Sequence, residues 1–195
     1  MKTAAPRLRR AYFECRHGQL HVHNAIPEGG GFDELTTLIC LHGGGGTGRI
    51  FLDLSKHLGT SRSIYSPDLP GCGESDAAPS PLSVAAYADA VGDFLDSMRF
   101  RQVDLLGVGA SAAVVTELAI GRPKVVRKVC LLGTTASDTE TGTAGSRALQ
   151  VAAGAWNADR RQLVRQPLLA LEKETEIESG AESLARQLSG FFAKT

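Results

Sequence analysis

The chain switches repeatedly from short strand-like apolar runs to longer stretches with helical spacing, with a glycine-containing turn after each run. The runs lie over 36–41, 63–69, 103–107 and 126–132. Of these, 36–41 is continuously apolar, as expected of a strand buried on both faces. Strands that alternate with helices predict a mostly parallel sheet flanked by helices, because each parallel step needs a crossover that packs back on the sheet. This pattern defines an α/β fold before any chemistry is considered.

The flanking segments add detail. Residues 12–26 alternate between apolar and polar around His17 and Gly18, which predicts two antiparallel strands joined by a turn. Residues 50–58 carry Phe51, Leu54 and Leu58 at helical spacing, and a helix capped by Ser80 with Pro81 in its first turn is expected to run to Met98. Another helix is expected over 110–120. Beyond Gly133 a polar loop leads into helix-forming composition over 146–192, interrupted at Pro167, where no strand is expected. The expected organisation is a flexible tail over 1–10, an α/β core over 11–138 and a helical cap-like segment over 139–195.

Composition limits the partners. Lys plus Arg equal Asp plus Glu at 21 each, so no global basic field draws the chain to nucleic acid or to an anionic membrane. No run approaches the ~18 apolar residues of a spanning helix, and the N-terminus lacks the apolar stretch of a secretory signal. A cytoplasmic protein with a small-molecule ligand or substrate is the expectation. Cys15, Cys40, Cys72 and Cys130 are too widely spaced for a Cys-x-x-Cys metal pair or a disulfide framework, and no cofactor or metal is expected. Cys15, Cys40 and Cys130 read as buried hydrophobes in strands, whereas Cys72 lies in a glycine-flanked loop.

Three glycine turns carry the candidate chemistry. "HGGGGTGRI", from His42, nearly matches a phosphate-binding P-loop, but Arg49 and Ile50 replace the lysine and hydroxyl residue that nucleotide hydrolysis needs. Its backbone N–H groups suit an oxyanion instead. "GVGASA", from Gly107, fits a dinucleotide fingerprint by its letters, but the next strand ends in Leu131, Leu132 and Gly133 with no acidic residue for a ribose. Dinucleotide binding is therefore a remote alternative. "DLPGCGES", from Asp68, ends a strand on the side where open sheets place ligands; it contributes Cys72 and Ser75 as pocket-loop candidates, with His42 the local base a Cys72 nucleophile would need.

In order, "LICLHGGGG", "YSPDLPGCGESD", "VDLLGVGASAAVVTELA" and "RPKVVRKVCLLG" resemble the α/β-hydrolase superfamily over about 12–134. The resemblance implies that fold, an oxyanion hole from Gly43 and Gly44 with Ala110 as second donor, and a nucleophile elbow of the form G-x-S-x-G. It relates the chain to hydrolases of small esters and similar carbonyl compounds.

Three departures qualify the activity. Alignment on Gly107 puts Gly109 at the nucleophile position, and Ser111 becomes a catalytic candidate only if the register moves by two residues. All five histidines, at 17, 21, 23, 42 and 57, precede Gly109, so the family's late histidine has no counterpart in these residues; Asp138 could mimic an acid position. Finally, the chain is expected to stop inside the cap as a truncated form, leaving 126–132 at a sheet edge prone to self-association. The expectation is a weak or inactive hydrolase, with a non-catalytic ligand-binding or interaction protein on the same fold as the alternative.

Overall fold

The computed structural model describes residues 4–30, 35–133, the backbone of 168–171, residue 177 and residues 180–193. Its strands are β1 (Arg7–Cys15), β2 (Gly18–Ile26), β3 (Thr37–Leu41), β4 (Ile64–Pro67), β5 (Val103–Val108), β6 (Val126–Leu132) and β7 (Leu168–Leu171). They form one sheet in the order β1-β2-β4-β3-β5-β6-β7. The β1–β2 and β2–β4 pairs are antiparallel, and every pair from β4 to β7 is parallel. Helices α1 (Leu52–Leu58), α2 (Val84–Ser97), α3 (Ser111–Gly121) and α4 (Ala181–Ala193) flank the sheet, and a 3₁₀ turn, Gly48–Phe51, precedes α1.

Alternation along the central strands divides the core in two. Ile39 and Leu41 of β3, Leu105 of β5 and Val129 and Leu131 of β6 pack with Phe94 of α2 and Val115 of α3. Their neighbours Leu38, Cys40, Leu106, Val108, Cys130 and Leu132 point the other way, toward Leu54 of α1 and Leu188 of α4. Successive strand side chains point to opposite faces, so strands covered on both sides are apolar at nearly every position.

The structure changes four expectations. Strand β1 begins at Arg7, so Arg7, Leu8, Arg9 and Arg10 expose their side chains while their backbone pairs with β2; the segment 1–10 is not wholly a free tail. Charged side chains on an edge strand hide its strand character from a hydrophobicity reading. The α2 cap is Ser83, not Ser80: Ser83 Oγ accepts from the Ala86 N–H at 3.2 Å. Strand β7 pairs with β6, so β6 is not the sheet edge. And α4 buries Leu184, Ala185, Leu188 and Phe192 in the core, so 168–171 and 181–193 belong to the sheet and its covering layer rather than to a cap.

The start of β5 is a charged anchor. Asp104, fully buried, accepts from Arg62 Nη1 at 3.1 Å and from Arg127 Nε and Nη2 at 2.8 and 2.6 Å. Arg127 Nη2 also donates to the Phe192 carbonyl at 2.5 Å, and Lys128 Nζ donates to the Phe191 carbonyl at 2.9 Å. The last turn of α4 thus meets cationic donors, which its unpaired carbonyls and dipole favour.

Candidate functional site at the carboxyl ends of the strands

At the opposite end, β5 runs through Val108 into a two-residue turn, Gly109 and Ala110, and then α3. Gly107 is required there: a Cβ on it would lie 2.8 Å from Val115 Cγ2 and 3.2 Å from Ala112 Cα, so only glycine lets α3 pack this closely on the strand. Gly109 follows with φ +55°, in the left-handed region. Its N–H donates to the Leu132 carbonyl at 2.8 Å and its carbonyl accepts from the Ala112 N–H at 3.0 Å. This is the sharp strand-to-helix turn of an elbow, with no side chain at its tip.

Ser111 lies two residues on, at the first position of α3, and is fully buried. Its Oγ donates toward the Leu41 carbonyl at 2.6 Å, with the Val108 carbonyl at 3.0 Å, and accepts from the Val108 N–H at 2.9 Å. The hydroxyl therefore ties the end of β3 to the end of β5.

The loop after β3 lies against the elbow. A Cβ on Gly43 would be 3.1 Å from the Val108 carbonyl oxygen and 3.9 Å from Gly109 Cα. Among the described residues, no protein acceptor takes the N–H of Gly44 or of Ala110, and both residues are partly exposed. Gly43 therefore lies against the elbow, and Ala110 follows Gly109 directly in the chain.

The other pocket-loop candidates are occupied by structural bonds. His42 is fully buried; its Nδ1–H donates to the Gly43 carbonyl at 2.8 Å, and its Nε2 accepts from the Leu69 N–H at 3.0 Å. Accepting at Nε2 assigns the proton to Nδ1. Burial pushes the His42 pKa below its ordinary value, against the opposing pull of the Gly43 carbonyl, and holds the ring neutral. With both nitrogens engaged, His42 has none left to serve as a base for Cys72, which is itself buried in the core beside Leu69 and Tyr87. Ser75 Oγ donates to the Asp68 carbonyl at 2.6 Å and accepts from the His21 N–H at 2.9 Å, stitching its loop to β2. Asp138 lies outside the described residues.

One cluster escaped the sequence reading. Asp68 Oδ1 accepts from the Gly48 N–H at 2.6 Å, and Oδ2 accepts from the Glu74 N–H at 3.1 Å and from His21 Nδ1 at 2.9 Å. His23 stands beside them, its ring centroid 4.6 Å from that of His21. Burial, and next the neighbouring His21, lower the His23 pKa. The only signal in the sequence is the His-x-His spacing, which puts two imidazoles on one face of a strand; Asp68 is 47 residues away from His21.

Residues 38–194 match the model of the alpha/beta hydrolase family. The chain belongs to that family. A pimeloyl-(acyl-carrier protein) methyl ester esterase of Neisseria meningitidis serogroup C is 31% identical over 139 residues, which is 69% of this chain and 52% of that esterase. An uncharacterized protein of Mycobacterium tuberculosis is 27% identical over 95 residues, 49% of this chain and 28% of the relative. The chain spans about half the length of the curated esterases it matches.

Two solved structures share the fold. The ligand-free epoxide hydrolase CorEH superposes with a TM-score of 0.74 at 10% identity, covering 96% of this chain and 99% of that one. A serine-to-glycine variant of the N-acyl homoserine lactonase AidH, complexed with N-hexanoyl homoserine lactone, gives 0.71 at 16% identity, covering 94% and 97%. No helix among the described residues is long and apolar enough to cross a membrane.

Proposed function

We propose that this chain binds a small carbonyl- or carboxyl-bearing ligand at the hydrolase elbow and does not attack it covalently. The observation that carries this reading is Gly109, left-handed at the elbow tip with nothing on it that can act as a nucleophile. The N–H groups of Gly44 and Ala110, partnerless among the described residues, supply the polar half of the site. Such donors favour an oxygen that carries or develops negative charge. Ser111 is read as a structural hydroxyl rather than a shifted nucleophile, because all its bonds run to strand-end backbone and it is closed to solvent. Gly43 lets the oxyanion loop approach, and His42, Cys72 and Ser75 hold the loops that frame the ligand.

On this reading the protein is a pseudoenzyme built on an esterase-like scaffold. The relatives' methyl ester and lactone chemistry suggests an acyl compound as the ligand class. Turnover of short-chain p-nitrophenyl esters by the purified chain tests the proposal. The expected rate is far below the ~1 s⁻¹ of an ordinary enzyme; hydrolysis at or above that rate contradicts it.

A further inference from the structure

Asp68, His21 and His23 have no direct part in the ligand reading. Strand alternation aims His21 and His23 at the same face of β2, and the Asp68 N–H donates to the His21 carbonyl at 2.8 Å, which seats the carboxylate beside them. One ligand atom from each of the three residues lies within 4.8 Å of the others. His21 and Asp68 are buried, while His23 is only half-buried and leaves a way in from solvent.

We propose that His21, His23 and Asp68 form a binding site for a divalent transition-metal ion of the imidazole-preferring kind, such as zinc. Two nitrogen donors and one oxygen donor select such an ion over magnesium or calcium, which take oxygen ligands. His21 Nδ1 and Asp68 Oδ2 stand 2.9 Å apart, and a tetrahedral ion with ~2.0–2.1 Å bonds spaces its ligands by about 3.3 Å. The ion takes the place of the proton these two atoms share, and His23 turns toward it. The two N–H groups, of Gly48 and Glu74, that fix the carboxylate act as its outer support. Solvent completes the coordination on the His23 side. Arg10, the register partner of His23, and Arg49 add positive charge nearby, so binding rests on the imidazole donors rather than on a negative field.

Isothermal titration of the full chain with Zn²⁺ near neutral pH tests the site. The expected result is saturable binding of one ion per chain, weakened about tenfold or more in His23→Ala and unchanged in His57→Ala, whose exposed ring on α1 controls for surface binding. Zn²⁺ is also expected to raise the unfolding temperature of the native chain and not that of His23→Ala. If His23→Ala fails to fold, His23→Gln, which keeps more of the side-chain volume, takes its place. Absence of saturable binding overturns the proposal, as does binding that survives loss of the His23 imidazole or falls equally in the His57 variant.

Discussion

Strand β5 has two ends that are built on opposite terms. At its start a fully buried Asp104 is held by two guanidinium groups, and the same cationic cluster grips the last carbonyls of α4. Beyond its finish the chain turns through a left-handed glycine beside backbone N–H groups, with the nearest hydroxyl consumed by backbone bonds. The first end spends side-chain chemistry on holding the fold together. The second keeps a sharp strand-to-helix turn whose tip residue, Gly109, has no side chain. The elbow's shape depends on packing at Gly107 and on the Ser111 tie, and neither needs a nucleophile at 109.

Substitutions at the two ends should separate these roles. The largest effect is expected at the anchor: Asp104→Ala leaves Arg62 buried without a counter-charge and should cost about 3–5 kcal/mol in denaturant unfolding. A cost under about 1 kcal/mol would mean that water or other acceptors satisfy the arginines, and the contrast between the ends would weaken. Next comes Ser111→Ala, which strips the Val108 N–H and the Leu41 carbonyl of a buried partner and should cost about 1–3 kcal/mol in the same measurement, with no change in reactivity toward esters. Gly109→Ala forces a Cβ into the left-handed region and is expected to lose about 1–2 kcal/mol.

The smallest effect concerns pH. His42 has a folded pKa below its ordinary 6.5, so between those two values the unfolded chain binds more protons than the folded one. Stability is therefore full above about pH 6.5 and declines as pH falls toward the lowered value; His23 contributes with the same sign. Thermal melts across this window should show a shallower pH dependence in His42→Gln. An unchanged slope would show that His42 does not stay neutral in the folded state.

The parts of the fold that were legible in the sequence are those whose burial makes them apolar on both faces. The runs over 36–41 and 126–132 read as strands because neither face meets water, and the elbow was legible because Gly107 and Gly109 bracket a strand-to-helix switch. Strand β7 was not: Leu168, Leu169, Ala170 and Leu171 form a run too short for periodicity to separate strand from helix. Arg7 to Arg10 concealed the start of β1, since a backbone ladder leaves no mark on exposed side chains. Ser80 and Ser83 both suit a helix cap, and only the bond to Ala86 decides between them. Within the site, the letters gave Ser111 a hydroxyl near the elbow but could not show it bonded to Leu41, 70 residues earlier. The Asp68 cluster and the Arg62–Asp104–Arg127 anchor join residues from distant segments, so beyond the His21-x-His23 spacing neither has a local pattern to find.

The central claim is that the elbow carries no nucleophile and that Ser111 does not replace one. Fluorophosphonate treatment of the purified chain, followed by peptide mass mapping against a control esterase labelled in parallel, tests it most directly. The account predicts no adduct on any serine of the chain. A stoichiometric adduct on Ser111 would contradict it, because the hydroxyl would then have to leave its backbone partners, find a base and act as the nucleophile that Gly109 cannot be.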